Sequence, residues 1–249
     1  MDLAIEREIE AIFHHNLKGK TFPKADGAHD GEQGHWFESQ FGQAANSNNA
    51  PDFKGYEIKK PTKGKTTFGD WSADMYAFSG DQAFCSRSEF LAWFGSPNDK
   101  GRNSWSGKCV PKVGSWNDFG QRLWVSEEGD VYAVYQYDKD NRSDKDKFLP
   151  TFLKIGPRVI AAWRFSTLKD KLENKFNQHG WVSVRVDEAG VIRKLVFGRS
   201  MDFDFWISKV RSGEVFLDSG MIDGDNKRPY SNWRANNDFW EKLIVRTVE

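Results

Sequence analysis

The stretch NNAPDFKGYEIKKPT, residues 48–62, sets two acids and a lysine among residues that favour a β-strand. The acids are Asp52 and Glu57, and Lys59 follows Glu57 by two positions. Because side chains alternate between the two faces of a strand, Glu57 and Lys59 should point the same way. Asp52, one short bend upstream, should reach the same place. The stretch therefore predicts two carboxylates and an amine on one face of a strand.

Two carboxylates beside a strand backbone form a site of hard oxygen ligands. With the main-chain carbonyl of Ile58, Asp52 and Glu57 offer the kind of ligand set that Mg²⁺ prefers, and Mn²⁺ is expected to substitute. A bound metal lowers the pKa of its water and neutralises phosphate charge, and Lys59 would steer that water. The pattern indicates metal-assisted hydrolysis of a phosphodiester. The spacing alone also fits the solvated face of an edge strand.

The composition of the 249-residue chain is that of a globular protein. No apolar run approaches the roughly 20 residues that span a bilayer, and the acidic amino terminus does not resemble a secretory signal. Basic and acidic residues balance at 36 each, so net charge neither supports nor excludes a nucleic-acid partner. Cys85 and Cys109 suit free thiols in a reducing cytoplasm, although the sequence leaves a disulfide open.

Helical and strand patterns alternate along the chain without a linker, which predicts one α/β domain over residues 1–249. Apolar periodicity predicts helices over residues 3–17 and 35–45. Alternation on both sides of Gly129 predicts a β-hairpin, and residues 181–198 repeat that pattern.

Two polar stretches interrupt these patterns, at residues 96–120 and 223–237, and we expect irregular loops there. A two-lobed form of the same domain would place a catalytic part mainly at residues 1–160 and a recognition part mainly at 161–249.

Several segments resemble one family of nucleases. APDFKGYEIK resembles the PD-(D/E)xK signature, with Pro51 and Asp52 as its first half and Glu57-Ile58-Lys59 as its second. GHWFESQFG puts Glu38 fourteen residues before Asp52, as in the MvaI/BcnI-type restriction endonucleases, which are related to the mismatch-repair nickase MutH. Looser likenesses are carried by WRFSTLKDKLENKF and ISKVRSGEVFLDSGM. The resemblance leaves the middle of the chain, residues 73–156, unmatched.

The resemblance implies a restriction-endonuclease-like fold, with a mixed central β-sheet flanked by helices and with DNA-recognition loops and hairpins. It implies a Mg²⁺-dependent type II restriction endonuclease that cuts double-stranded DNA at a short specific sequence in a prokaryotic cytoplasm. Such an enzyme would act as a monomer, and a cognate DNA methyltransferase would belong to the same system without forming a stable complex. Asp52 and Glu57 would hold the metal, Lys59 would lie by the nucleophilic water, and Glu38 would assist through a water or a basic partner.

Basic side chains near the motif and in the polar stretches are the candidates for contact with DNA. Arginine bonded to guanine is the commonest specific base contact, and the family position of residues 223–237 favours Arg228 and Arg234 as base readers. Ordinary solvated side chains are the alternative for every candidate. The remaining candidates are Lys60, Lys63, Arg102 and Lys108. No glycine-rich loop that would cradle a phosphate is present, so we expect no nucleotide cofactor.

Two other functions remain open at this level. A MutH-like repair endonuclease would use the same site to nick DNA, and cleavage of one strand instead of two would reveal it. A non-catalytic DNA-binding protein would carry the acids without using them. That alternative is weaker, because a binding module gains nothing from two carboxylates that face a polyanion.

Overall fold

The computed structural model describes residues 2–23, 31–43, 49–224 and 229–249. The chain divides into two compact units, each built from segments that are distant in sequence. The first unit consists of Met1–Thr66, Asp170–Phe203 and Asn236–Glu249, and the second of Thr67–Lys169 and Asp204–Ala235. These bounds differ from the sequence-based division near residue 160.

The regular elements follow the chain as an alternation of helices and strands. The helices are α1 (Leu3–Ile12), α2 (Gly31–Ser39), α3 (Arg87–Phe94), α4 (Phe165–Phe176), α5 (Phe203–Arg211) and α6 (Asn237–Glu241). The strands are β1 (Tyr56–Ile58), β2 (Lys65–Asp70), β3 (Met75–Tyr76), β4 (Ser96–Pro97), β5 (Asn103–Ser106), β6 (Phe119–Val125), β7 (Val131–Asp140), β8 (Arg158–Trp163), β9 (Gly180–Val186), β10 (Ile192–Gly198), β11 (Val215–Ile222), β12 (Ser231–Asn236) and β13 (Ile244–Val248). Short helical turns occupy Phe13–Leu17, Gly107–Cys109, Lys145–Lys147 and Thr151–Lys154.

The first unit contains a mixed sheet of strand order β1-β9-β10-β13. The short strand β1 runs parallel to β9, while β9, β10 and β13 pair in antiparallel fashion. This parallel pairing joins the start of the chain to a strand far along it, which is why the unit is discontinuous. The predicted hairpin over residues 181–198 is confirmed as β9 and β10.

One face of this sheet forms a core with the first helix. Asp2 caps α1 by accepting a hydrogen bond from the main-chain N–H of Ala4 at 3.0 Å. The helix continues as a π-helical turn, which confirms the helix predicted over residues 3–17. The buried side chains of this core include Ile9, Phe13, Leu17, Tyr56, Ile58, Val182 and Val184.

The second unit contains two sheets, of strand orders β2-β12-β11-β5-β4 and β3-β8-β7-β6. Its core holds several tryptophans, of which Trp163, Trp206 and Trp233 are almost fully buried. Ring centroids of Trp206 and Trp233 lie 5.4 Å apart in an edge-to-face arrangement. Helix α3 begins with a capping box formed by Ser86 and Glu89.

Three of the structural assignments made from the sequence were wrong. Residues 96–120 and 223–237 are not wholly irregular, because β4 and β5 form in the first and β12 in the second. Their Gly, Asn and Ser content hides the strands, which form because β11 offers its backbone on both sides to β5 and β12. The predicted helix over residues 35–45 is observed as Gly31–Ser39. Residues 44–48 lie outside the described part of the chain.

Two further expectations concern a disulfide between the cysteines and a helix that could span a membrane. Cys85 and Cys109 are free thiols, so no disulfide joins them. Burial, with a smaller contribution from the charge of Glu89, raises the pKa of the Cys85 thiol to about 12. In the described ranges, no helix combines the length and the apolar character needed to cross a membrane.

Gly198 on β10 lies directly against the indole ring of Trp181 on β9. A Cβ atom at position 198 would lie 1.9 Å from Cε2 of that ring, and Trp181 is only 1% exposed. We expect Gly198→Ala to lower the free energy of unfolding by about 3 kcal/mol, measured by chemical denaturation. Gly34→Ala in α2 is the control, because a Cβ there meets nothing within 4 Å. Equal stability of the two variants would contradict this packing.

Candidate active site

Glu57 on strand β1 and Lys59, which directly follows the strand, are both buried. Glu57 is 2% exposed and Lys59 is 9% exposed, so neither is on a solvated strand face. Lys59 Nζ lies 2.7 Å from Glu57 Oε1. Tyr56 and Ile58 point into the hydrophobic core on the other side. The alternation predicted from the sequence is therefore confirmed. Although β1 is an edge strand, burial of Glu57 and Lys59 shows that the face that carries them is not solvated.

A tight turn brings Asp52 back to the same strand. Phe53 and Tyr56 exchange main-chain hydrogen bonds of 2.9 and 2.8 Å around Lys54 and Gly55. Both central residues have positive φ, 45° and 89°, as a type I′ turn requires. Asp52 Oδ2 then accepts a hydrogen bond of 2.9 Å from the main-chain N–H of Ile58.

Gly55 is needed at the second turn position for a further reason. A Cβ atom there would lie 2.5 Å from Cδ2 of His179, in the segment that leads into β9. The main-chain N–H of His179 donates a 3.1 Å hydrogen bond to the carbonyl of Gly55. The turn is thus docked against β9 at the point where β1 and β9 begin to pair.

Lys175, near the end of α4, completes the group and was missed from the sequence. Its Nζ lies 3.0 Å from Glu57 Oε1, so that oxygen contacts two ammonium groups. The lysine side chain is 16% exposed. The sequence contained no signal for the pairing of β1 with β9, which brings the end of α4 to the acids.

The charges in this group strongly perturb one another. Burial and then the charge of Glu57 raise the pKa of Asp52 to about 7. The hydrogen bond from the Ile58 N–H and the charges of Lys59 and Lys175 act to lower that pKa, but their effect is smaller. Burial lowers the pKa of Lys59, and repulsion from Lys175 adds to that, while Glu57 opposes it. Burial also acts to lower the pKa of Lys175, but the acids, led by Glu57, outweigh it and hold the pKa above its usual value.

The acid pair fits a divalent cation. Glu57 Oε2 is buried and has no hydrogen-bond partner among the described residues. A buried carboxylate oxygen without a partner and a second carboxylate with a raised pKa are both stabilised by a nearby cation. The residues described include no group of three or more His, Cys, Asp or Glu side chains that could hold a metal. Two carboxylates, one carbonyl and solvent are nevertheless a donor set that suits Mg²⁺.

Glu38 and Lys60 lie in the same unit as the acids. Glu38 is one of the charges that raise the pKa of Lys175, after Glu57 and Asp52, and His35 Nδ1 lies 3.6 Å from its Oε2. Lys60 Nζ donates a 2.9 Å hydrogen bond to Gln33 Oε1.

The other DNA-contact candidates are dispersed. Lys63 is exposed in the first unit. Arg102 and Lys108 belong to the second unit, where the main-chain N–H of Arg102 donates to Asn98 Oδ1 at 3.1 Å. Lys108 Nζ lies 5.7 Å from the centre of the Phe119 ring.

Of the two preferred base readers, Arg234 lies within the described residues and Arg228 does not. Arg234 lies on β12 rather than in a loop, and its Nε is 2.9 Å from Asp218 Oδ2 on β11.

The fold is one that is known from solved structures. The structure is similar to a solved restriction endonuclease MvaI–cognate DNA substrate complex, with a TM-score of 0.62. The match covers 100% of this chain and 98% of that chain at 13% identity. The fold is therefore a restriction-endonuclease-like α/β fold, as expected.

Sequence comparison then gives the family. The LlaMI restriction endonuclease family model matches residues 15–248. The Type II restriction enzyme ScrFI of Lactococcus lactis subsp. cremoris is 44% identical over 265 residues, which cover 96% of this chain and 97% of that protein. The chain belongs to the LlaMI restriction endonuclease family.

Proposed function

We propose that this restriction endonuclease hydrolyses phosphodiester bonds of double-stranded DNA at a short specific sequence and requires Mg²⁺. The metal would be held by Asp52, Glu57 and the main-chain carbonyl of Ile58. The observation that carries the proposal is the buried Oε2 of Glu57, which has no hydrogen-bond partner within the described part of the chain and lies in the same charged group as Asp52 and Lys59. A divalent cation is the group that best satisfies this arrangement.

Each residue of the group has a distinct role in this scheme. Bound Mg²⁺ would supply a water of lowered pKa and neutralise charge on the phosphate. Lys59, held by Glu57 Oε1, orients the attacking water and stabilises the negative charge that develops on the phosphate. Lys175 orients Glu57 through the same oxygen, and Glu38 adds negative charge near Lys175.

Incubation of the protein with plasmid DNA and Mg²⁺, followed by sequencing of the ends, tests the proposal directly. We expect cleavage of both strands at one short sequence. Nicking of a single strand would favour a MutH-like repair endonuclease. Binding without cleavage in any divalent ion would favour a non-catalytic DNA-binding protein.

Replacement of Mg²⁺ by Ca²⁺ should separate binding from turnover. Calcium takes longer and more variable oxygen contacts, so it can neutralise the acids without positioning the water. We expect DNA binding to persist while the single-turnover cleavage rate falls by roughly a hundredfold or more. Addition of excess Mg²⁺ to the same complex should restore cleavage. Efficient cleavage in Ca²⁺ would contradict the proposed metal site.

Lys175→Met should change both the rate and the metal requirement. Loss of an ammonium group that orients Glu57 should lower the maximal cleavage rate by about ten- to a hundredfold. Because Lys175 competes with a cation for Glu57, the Mg²⁺ concentration at half-maximal rate should fall. Lys169→Met, an exposed lysine on the same helix, is the control. A lower rate with an unchanged metal requirement would assign Lys175 a purely structural role.

We further propose that the enzyme acts as a monomer and that a cognate DNA methyltransferase belongs to the same system. Sedimentation with and without DNA tests the first point. The candidates for contact with DNA remain Lys60, Lys63, Arg102, Lys108, Arg228 and Arg234. Mn²⁺ is expected to replace Mg²⁺ in the cleavage assay, because it accepts the same oxygen ligands.

A further inference from the structure

The sheet face that carries the proposed catalytic residues continues from β1 onto β9. Glu57 pairs with Trp181, and the main-chain N–H of Lys59 donates to the carbonyl of Val182 at 2.8 Å. Val182 and its alternate neighbour Val184 lie in the core, together with Tyr56 and Ile58. The opposite face of β9 therefore presents Trp181, Ser183 and Arg185 on the side of Glu57 and Lys59.

A cavity of about 130 Å³ runs along this face. About four waters would fill that volume, so a phosphate group with its ester oxygens fits inside. Three basic side chains and one carboxylate contribute to its wall. These are Lys59, Lys60, Arg185 and Glu241, and Trp181 and Ser183 also line the cavity.

Lys59 connects this cavity to the metal site. Its ammonium group contacts Glu57, and its side chain also lines the cavity, whereas Asp52, Glu57 and Lys175 do not. A DNA strand whose scissile phosphate lies at the acids would therefore carry a neighbouring phosphate past Lys59. Backbone phosphates repeat along each strand, so one strand offers a succession of anions at short intervals.

The guanidinium group of Arg185 is held in place by three contacts. Its Nη2 lies 2.5 Å from Glu241 Oε1, and its Nη1 donates to the carbonyl of Val184 at 3.0 Å and to Ser183 Oγ at 3.4 Å. Glu241 is 51% exposed, so this ion pair is accessible to solvent and weak. A planar guanidinium group that is already oriented is well suited to bind phosphate oxygens.

We infer that this cavity binds a non-scissile phosphate of the DNA backbone next to the one that is cleaved, with Arg185 and Ser183 as its ligands. Lys60 supports the site, because the hydrogen bond that its Nζ donates goes to a neutral acceptor, Gln33 Oε1, and leaves its positive charge to act on the anion. The inference rests on the proposed function, since it takes the acids of β1 to mark the scissile position.

The salt dependence of DNA binding tests the site. The probe is a short duplex with the sequence at which the enzyme cuts plasmid DNA, and binding is measured in Ca²⁺ by fluorescence anisotropy. Arg185→Gln should weaken binding roughly tenfold at low salt and reduce the slope of log Kd against log salt by about 0.9, the loss of one phosphate contact. Arg185→Lys should keep the slope. Arg193→Gln, which removes an exposed arginine paired with Asp187, should leave both quantities unchanged.

Methylphosphonate linkages, which carry no charge, identify the backbone phosphate that Arg185 contacts. Single methylphosphonate substitutions near the cut should include one position that weakens wild-type binding but has no further effect on Arg185→Gln. An unchanged slope for Arg185→Gln, or additive effects at every position, would overturn the inference. Absence of Mg²⁺-dependent cleavage by the wild type would instead overturn the proposed function, so the two failures are distinguishable.

Discussion

Asp52→Asn is expected to abolish cleavage while making the metal-free protein more stable. Loss of a metal ligand should reduce the single-turnover rate by about a thousandfold or more, which corresponds to about 4 kcal/mol of transition-state stabilisation. DNA binding should persist or tighten, because one negative charge facing the backbone is removed. Rapid-quench cleavage assays and binding assays on the same duplex measure the two effects.

The stability of Asp52→Asn follows from the pKa of the acid it replaces. Burial and the charge of Glu57 raise that pKa from 3.8 to about 7, so ionised Asp52 destabilises the folded state. Removal of the charge should stabilise the metal-free protein by about 1 to 2 kcal/mol above pH 7. The gain should shrink below pH 7 and vanish below pH 3.8, where the acid is protonated in both states.

Asp187→Asn is the matched control, because the pKa of Asp187 is shifted in the direction opposite to that of Asp52. The hydrogen bond from Arg193 holds the pKa of Asp187 below its usual value, so the ionised acid favours folding. The variant should cleave normally and gain no stability at neutral pH. Near wild-type cleavage by Asp52→Asn would show that the metal site lies elsewhere.

Lys59→Met is expected to lose cleavage with little loss of DNA binding. Its ammonium group lies 2.7 Å from Glu57 Oε1 and 5.3 Å from the centre of the Phe176 ring, where a methionine side chain can pack. Removal of one preorganised donor from a reaction centre typically costs 10²–10³ in rate, and we expect a loss of about that size. Single-turnover cleavage at saturating enzyme measures the loss.

Lys194→Met provides the control for a lost surface charge, since Lys194 is exposed and paired with Glu249. It should cleave at the wild-type rate. If Lys59→Met cleaves as fast as Lys194→Met, the lysine of the motif has no part in the chemistry. If both rate and binding fall together, Lys59 acts in DNA binding instead.

Local rules predicted much of the candidate site. Strand alternation placed Glu57 and Lys59 on one face, and the turn at Lys54 and Gly55 brings Asp52 back within a few residues. Helix periodicity predicted α1. Each of these features depends on neighbours in sequence, so a single sequence is enough to predict it.

Features that depend on distant pairing escaped prediction. Lys175 reaches Glu57 only because β1 and β9 lie side by side, and no residue near either strand signals that pairing. The strands β5 and β12 form on β11 despite their polar sequences, because the backbone of a neighbouring strand outweighs weak local preference. The division into two discontinuous units has the same origin.

The chain passes between the two units four times, and every passage falls inside a strand or helix: β2, α4, α5 and β12. No single contiguous block of residues contains either unit whole. Recombination that exchanges one contiguous segment between related enzymes would therefore transfer only part of a unit. Grafting the second unit onto another scaffold would require two inserts, Thr67–Lys169 and Asp204–Ala235, each spliced within regular secondary structure.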